Sequence, residues 1–137
     1  MIEGSVWIRD DVVMAVHERQ LAEHGGAQGI RDASDLKAAL LAPLETSRID
    51  DADLASVASA YGYQLVTRHP FMDGNRRTAY VCIRLFLVLN GRDIVAKRED
   101  KSRIMLKLAQ GTVTHIQLAS WIRRHLTDTP AATTASS

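Results

Sequence analysis

The feature that most constrains this chain is a junction. Nine residues, His69-Pro70-Phe71-Met72-Asp73-Gly74-Asn75-Arg76-Arg77, gather an imidazole, a carboxylate, an amide and two guanidinium groups, and they run straight into Thr78–Leu89, the most apolar stretch of the sequence. A helix that is apolar on nearly all sides belongs in the centre of a core, and dense polarity at its entrance is costly to bury unless a ligand uses it. The expected fold is therefore all-α: a compact six-helix bundle around a central helix at about 75–89, with the polar loop as its site.

The loop can be read residue by residue. Pro70 disfavours the α region at His69, so the preceding helix ends there. Gly74 allows a tight turn and close backbone approach. Asn75, Arg76 and Arg77 open the next helix, whose unpaired N–H groups and positive dipole end make an anion site. The arginine forks match phosphate oxygens. Asp73 is out of place in an anion site unless Mg²⁺ stands between it and the phosphates. His69 can take a proton from a hydroxyl near neutral pH, and Phe71 is an apolar peg for the loop. Together they point to phosphoryl or nucleotidyl transfer onto a hydroxyl.

Each residue has a plainer reading as well. His69 can cap a helix end, Asp73 can be the N-cap of the following helix, Asn75 and Gly74 can be turn residues, and the arginines can form a solvated first turn. Cations at a helix N-terminus oppose the dipole by about 0.3–1 kcal/mol each, however, which favours a bound anion. Arg84, seven residues after Arg77 on the same face, reads as one half of a structural ion pair. Arg31-Asp32 reads as a turn pair or as part of a flap. Tyr61, Tyr63 and Trp121 read as core. His17, His24, His115 and His125 form no ligand spacing with one another.

Composition narrows the rest. At 137 residues the chain fits one domain, with 46% hydrophobic and 24% charged residues. A net charge of +1 gives no global field for nucleic acid. The single cysteine, Cys82, excludes an intramolecular disulfide and a multi-cysteine zinc site and reads as a small core residue. No signal peptide is recognisable, and the apolar run broken by Arg84 is too short for a bilayer, so a cytoplasmic location is expected. There is no GxxxxGK loop and no HExxH.

Taken in order, residues 1–8 are a lead-in with a short extended or packing segment at Val6-Trp7-Ile8. Asp10 or Asp11 caps a helix to about His24, ended by Gly25-Gly26. Asp32 or Ser34 caps a second helix that Pro43 stops. A third, begun after Asp50 or Asp51, carries Leu54, Val57, Ala58, Tyr61 and Leu65 on one face. The fourth stops at Asn90-Gly91, and Ile94-Val95 form a short extended piece. A fifth covers about 100–110. Thr114 and Gln117 make a capping box for a sixth. The domain spans 1–126, and 127–137 is a polar, disordered tail.

The HPFMDGNRR stretch resembles the signature loop of the Fic/Doc family, roughly H-P-F-x-D/E-G-N-G/K-R, and especially its Doc (death-on-curing) toxin branch. GGAQGIRDASDLKAAL at 25–40 is similar to the family's G-G-x-x-G-I/V-R-D segment, and AYGYQLVTRHPF and NRRTAYVCIRLFLVLNG to the helices flanking its loop. The resemblance runs from about Trp7 to Leu126. It implies that His69 is the general base, with Asp73 and Arg77 completing the catalytic set, that Asp73 binds Mg²⁺, and that Gly74, Asn75, Arg76 and Arg77 cradle the phosphates of ATP.

The resemblance also implies a choice of chemistry. Adenylylating members have glycine at the eighth motif position, and Doc-type members have lysine and present the γ-phosphate. Arg76 is neither, but its bulk excludes the glycine-style pocket and favours a kinase. The implied target is a threonine of elongation factor Tu, whose phosphorylation halts translation. The inhibitory S/T-x-x-x-E-G/N helix of many members is not found, which implies inhibition by a separate Phd-like antitoxin. An adenylyltransferase, or a non-catalytic binding module with the same fold, are the alternatives. Neither nucleic acid nor membrane is an expected partner.

Overall fold

The computed structural model describes residues 5–128. Six helices follow one another: α1 (Asp10–His24), α2 (Ala33–Ser47), α3 (Leu54–Arg68), α4 (Asn75–Leu89), α5 (Arg98–Ala109) and α6 (His115–Arg124), with two three-residue strands, β1 (Arg92–Ile94) and β2 (Leu126–Asp128). The fold is mostly α, as expected. The strands pair antiparallel, with Ile94 opposite Leu126 and Arg92 opposite Asp128. Thr127 and Asp128, expected to begin the tail, are thus the end of a strand. The rest of the tail, like the first four residues, lies outside the described residues.

Helix α4 occupies its expected span and shares the centre with α3. The small residues Ala55, Ala58, Ala60 and Gly62 are all buried on α3 and let α2, α4 and α6 close around it. On α4 the buried side is Thr78, Ala79, Cys82, Ile83, Phe86 and Leu87, and Arg76, Arg77 and Arg84 take the opposite side into solvent. Phe86 anchors an aromatic cluster with Tyr61 and Trp7, at ring-centroid distances of 5.4 and 5.7 Å. The lead-in is clasped to the end of α4 by Asn90, which accepts from Val6 N–H and donates to Val6 C=O. Cys82 is fully buried, and burial pushes its thiol up to about 12. Burial likewise pushes the Tyr61 hydroxyl up to about 12, where it accepts from Ile8 N–H. Tyr63 and Trp121 pack against the same core.

Several local expectations are corrected. Pro43 does not stop α2, which continues to Ser47. Proline removes one helical donor, but Leu36, Ala39, Pro43 and Ser47 are all buried along one stripe, so packing carries the helix through. The cap of α3 is Asp53, accepting from Ser56 N–H, not Asp50 or Asp51. Arg9 occupies the N-cap of α1, leaving Asp10 and Asp11 in the first turn, where their charge suits the dipole. Asp32 caps α2 and Thr114–Gln117 form the capping box of α6. Arg84 does find an acid, on β1 rather than on a helix: Asp93 accepts from Nε and Nη2 at 3.0 and 3.1 Å. That pairing raises the Arg84 pKa and lowers that of Asp93.

Candidate active site

The loop between α3 and α4 is fastened from within and from two sides. The inner fastening is Asn75. Its Oδ1 accepts from Phe71 N–H and its Nδ2 donates to Phe71 C=O, both at 3.0 Å. The Phe71 ring is buried to 1% exposure, so the expected peg is in place. The Asn75 amide, expected to contact phosphate, thus also spans the loop's own backbone. Gly74 holds the N-cap position of α4 with φ 78°, and no side chain caps the helix. Asp73 is therefore not the N-cap.

The first fastening from outside comes from the segment before α2. Ile30 and Phe71 form an isolated antiparallel bridge. Met72 N–H donates to Gly29 C=O at 3.0 Å, and Arg31 N–H to Pro70 C=O at 2.7 Å. The Arg31 guanidinium then reaches under the end of α3, donating through Nε to His69 C=O and through Nη2 to Arg68 C=O at 2.7 Å. Asp35 receives both Arg31 and Arg68. His69 ends α3 in the left-handed region, φ 48° and ψ 55°, a conformation that costs an L-residue about 1–2 kcal/mol. Cationic donors on the last carbonyls of a helix offset that cost.

The second fastening comes from α1 and the glycine turn after it. His17, on the same buried face as Val13 and Leu21, stacks on Phe71 with ring centroids 3.7 Å apart and planes 9° apart. Its Nε2 lies 2.8 Å from Asp73 C=O. Ala27 N–H donates to Asp73 Oδ2 at 2.8 Å. A Cβ on Gly26 would stand 3.1 Å from Asp73 Cβ, so the close approach of this turn requires glycine.

What remains outward is His69, Asp73, Arg76 and Arg77, all exposed. The first backbone bond of α4 runs from Thr78 N–H to Gly74 C=O, leaving the N–H groups of Asn75, Arg76 and Arg77 as first-turn donors. Arg76 and Arg77 make no ion pair among the described residues. They share a groove of about 540 Å³ with His24, Arg98 and Lys101, over an apolar floor that includes Tyr80, Met105 and Leu106. Burial raises the Tyr80 hydroxyl pKa. No cluster of three His, Cys, Asp or Glu side chains able to hold a metal occurs among the described residues. Asp73 Oδ1 accepts no hydrogen bond among them. An Mg²⁺ ion drawing one carboxylate oxygen from Asp73, and the rest from phosphates and water, fits this donor set.

Spacing alone gave His17 no partner among the other histidines, and nothing in the sequence singled out Arg98 or Lys101. His17 left a signal, since a histidine four residues from Val13 and from Leu21 lies in an apolar stripe and must pair with something. Arg98 and Lys101 join the groove only through packing of α5.

An all-α bundle that turns His69, Asp73, Arg76 and Arg77 outward around one helix start presents a surface suited to anions, although only the two arginines line the groove. The chain belongs to the Fic/Doc family, whose family model matches residues 7–87, and whose members generally transfer phosphate or nucleotide groups onto proteins. That match takes in the glycine turn, the loop and nearly all of α4. A search of curated proteins finds no match to the chain. No helix among the described residues is long and apolar enough to cross a membrane.

Proposed function

We propose that the protein is a Doc-like toxin kinase, which transfers the γ-phosphate of ATP to a protein hydroxyl. The observation that carries this reading is the groove in which Arg76 and Arg77 join Arg98 and Lys101 without an acid in the lining. Four cations over an apolar floor suit a triphosphate and its base. A side chain as large as Arg76 occupies the position where adenylylating relatives keep glycine, which supports γ- over α-phosphate transfer.

The chemistry follows from the outward residues. His69 accepts the proton of the target hydroxyl as its oxygen bonds to the γ-phosphorus and the bond to the β-phosphate oxygen breaks, releasing ADP. The α4 first-turn N–H groups, with Arg76 and Arg77, hold the phosphate charge that grows on the equatorial oxygens. Gly74 keeps the backbone close to the phosphates, and Asn75 serves indirectly by fixing Phe71. Mg²⁺ on Asp73 would neutralise the phosphates when bound. The proposed target is a threonine of elongation factor Tu in the cytoplasm, with a Phd-like antitoxin as the inhibiting partner.

The test is intact-mass spectrometry of elongation factor Tu incubated with the protein, ATP and Mg²⁺, beside the His69→Ala variant. One added phosphate, lost by about 10²–10⁴-fold in rate in His69→Ala, is expected. An added AMP would replace the kinase with an adenylyltransferase. Modification that persists undiminished in His69→Ala would remove His69 as the base. No added mass on any protein of a lysate supplied with labelled ATP would leave a non-catalytic binding module.

A further inference from the structure

We infer that His17, outside the signature loop, is the positioning residue for Asp73. Three observations meet at its ring. It is 3% exposed, on the face of α1 turned to the core. It lies flat on Phe71 at 3.7 Å. Its Nε2 is 2.8 Å from the Asp73 carbonyl oxygen. A carbonyl only accepts, so Nε2 carries the hydrogen and donates.

The consequence is geometric. Asp73 lies between Met72, whose N–H is bound to Gly29 C=O, and Gly74, which has a left-handed backbone. The Met72 N–H and Asp73 C=O anchors bracket the Asp73 Cα, so releasing the second would let that Cα shift, and with it the Cα–Cβ bond that aims the carboxylate. The His17 bond fixes the carbonyl, and the Ala27 N–H fixes Oδ2. Together they leave Asp73 Oδ1 facing outward in one orientation. The stack on Phe71 sets the imidazole plane, so Nε2 meets the carbonyl rather than the ring of a neighbour. What Gly74 supplies is its left-handed backbone, φ 78°: a Cβ there would meet Leu21 Cδ2 at 3.3 Å but His17 only at an ordinary 3.7 Å. His17 thus acts through Asp73 and touches no reacting atom.

The inference deepens the proposed function and rests on it only where nucleotide is involved. Two variants separate the stack from the hydrogen bond. His17→Phe keeps a flat ring in the core and removes the donor, and His17→Gln keeps a donor at about the reach of Nε2. Amide hydrogen exchange at Ala27, whose N–H is held by Asp73 Oδ2, reads the orientation of Asp73 without any assay of activity. His17→Phe is expected to speed Ala27 exchange about tenfold, the worth of one hydrogen bond, with amides in the middle of α3 and α4 unchanged. His17→Gln is expected to stay near wild type. Mg²⁺–ATP affinity, measured by titration calorimetry, is expected to fall in parallel in His17→Phe and to recover in His17→Gln. Unchanged Ala27 exchange in His17→Phe would overturn the inference. So would equal loss of protection in both variants together with the α3 and α4 amides, which marks a merely structural role. If wild type binds no nucleotide, the proposed function fails, and the exchange result still decides the role of His17.

Discussion

Arg31 offers the strictest test of how the loop is held. Substitution by alanine removes two donations to the last carbonyls of α3 and the pair with Asp35. A hydrogen bond from a charged group contributes about 1.5–3 kcal/mol when shielded. The Arg31 side chain is 43% exposed, so water recovers much of that, and the two bonds together are worth about 1–1.5 kcal/mol. The favourable charge at the helix C-terminus adds about 0.3–1 kcal/mol. The expected loss is about 2 kcal/mol. With an unfolding entropy of about 2.1 cal/mol/K per residue, the midpoint falls by roughly 7 °C. Part of this loss falls on His69 itself, because the left-handed backbone is no longer compensated. If all of it did, the working orientation would drop about 30-fold in population. Arg31→Lys keeps the charge without the fork and should recover roughly half of both effects. Circular-dichroism melts give the first quantity. The proposed phosphotransfer, assayed at least about 20 °C below the lower midpoint, gives the second. An Arg31→Ala protein that melts within about 2 °C of wild type and keeps its activity would refute the reasoning.

Two further outcomes follow from the packing. Asp53 caps α3 and pairs with Arg123, whose hydrogen bond is the largest of the effects holding the Asp53 pKa well below the usual carboxylate range. A depressed acid contributes stability above its unfolded pKa and loses it as pH falls through the folded value. Asp53→Asn, which keeps the cap, should therefore cost about 0.5–1 kcal/mol at pH 7 and progressively less below about pH 4, as urea titrations across pH would show. At Gly62, an added Cβ would stand 2.3 Å from Ile83 Cδ1 in the closed α3–α4 contact. Gly62→Ala should destabilise by about 1–3 kcal/mol despite its gain in helix propensity. Adding Ile83→Val, which deletes that atom, should cost less than the two single changes summed, in a double-mutant cycle.

What the sequence disclosed divides along the range of the forces involved. The α4 span, the Thr114–Gln117 box and the end of α3 at His69 are set by neighbours within a few residues, and they stand where the pattern put them. Pro43 broke a local rule because its neighbours in the stripe, Leu36, Ala39 and Ser47, are held by another helix. The cap of α3 was ambiguous because Asp50, Asp51 and Asp53 are all able caps. Asp53 is the one that meets Arg123, from the far end of the chain. The loop's composition announced a site, but its supports did not appear in it. His17, Ala27 and Arg31 reach the loop from 37 or more residues away, and no spacing rule connects them to it.

These supports also explain how so polar a loop sits at the head of a buried helix. Its polar groups are divided between two tasks. The Asn75 amide pairs with the Phe71 N–H and C=O, the Pro70 carbonyl accepts from the Arg31 and Asp32 N–H groups, and the Asp73 carbonyl accepts from His17. His69, Asp73 Oδ1, Arg76 and Arg77 face solvent with no need of an internal partner. The desolvation cost expected from composition is therefore largely avoided rather than stored. The loop is held by hydrogen bonds to its backbone, which leaves the His69, Arg76 and Arg77 side chains outward. On this arrangement, the His69 end of the loop depends on the segment before α2 through Arg31 and the Asp73 end on α1 through His17. The two ends meet at Phe71, which the α1 histidine stacks on, the pre-α2 segment bridges and Asn75 staples. Phe71 is thus the residue through which a disturbance at either end can reach the other.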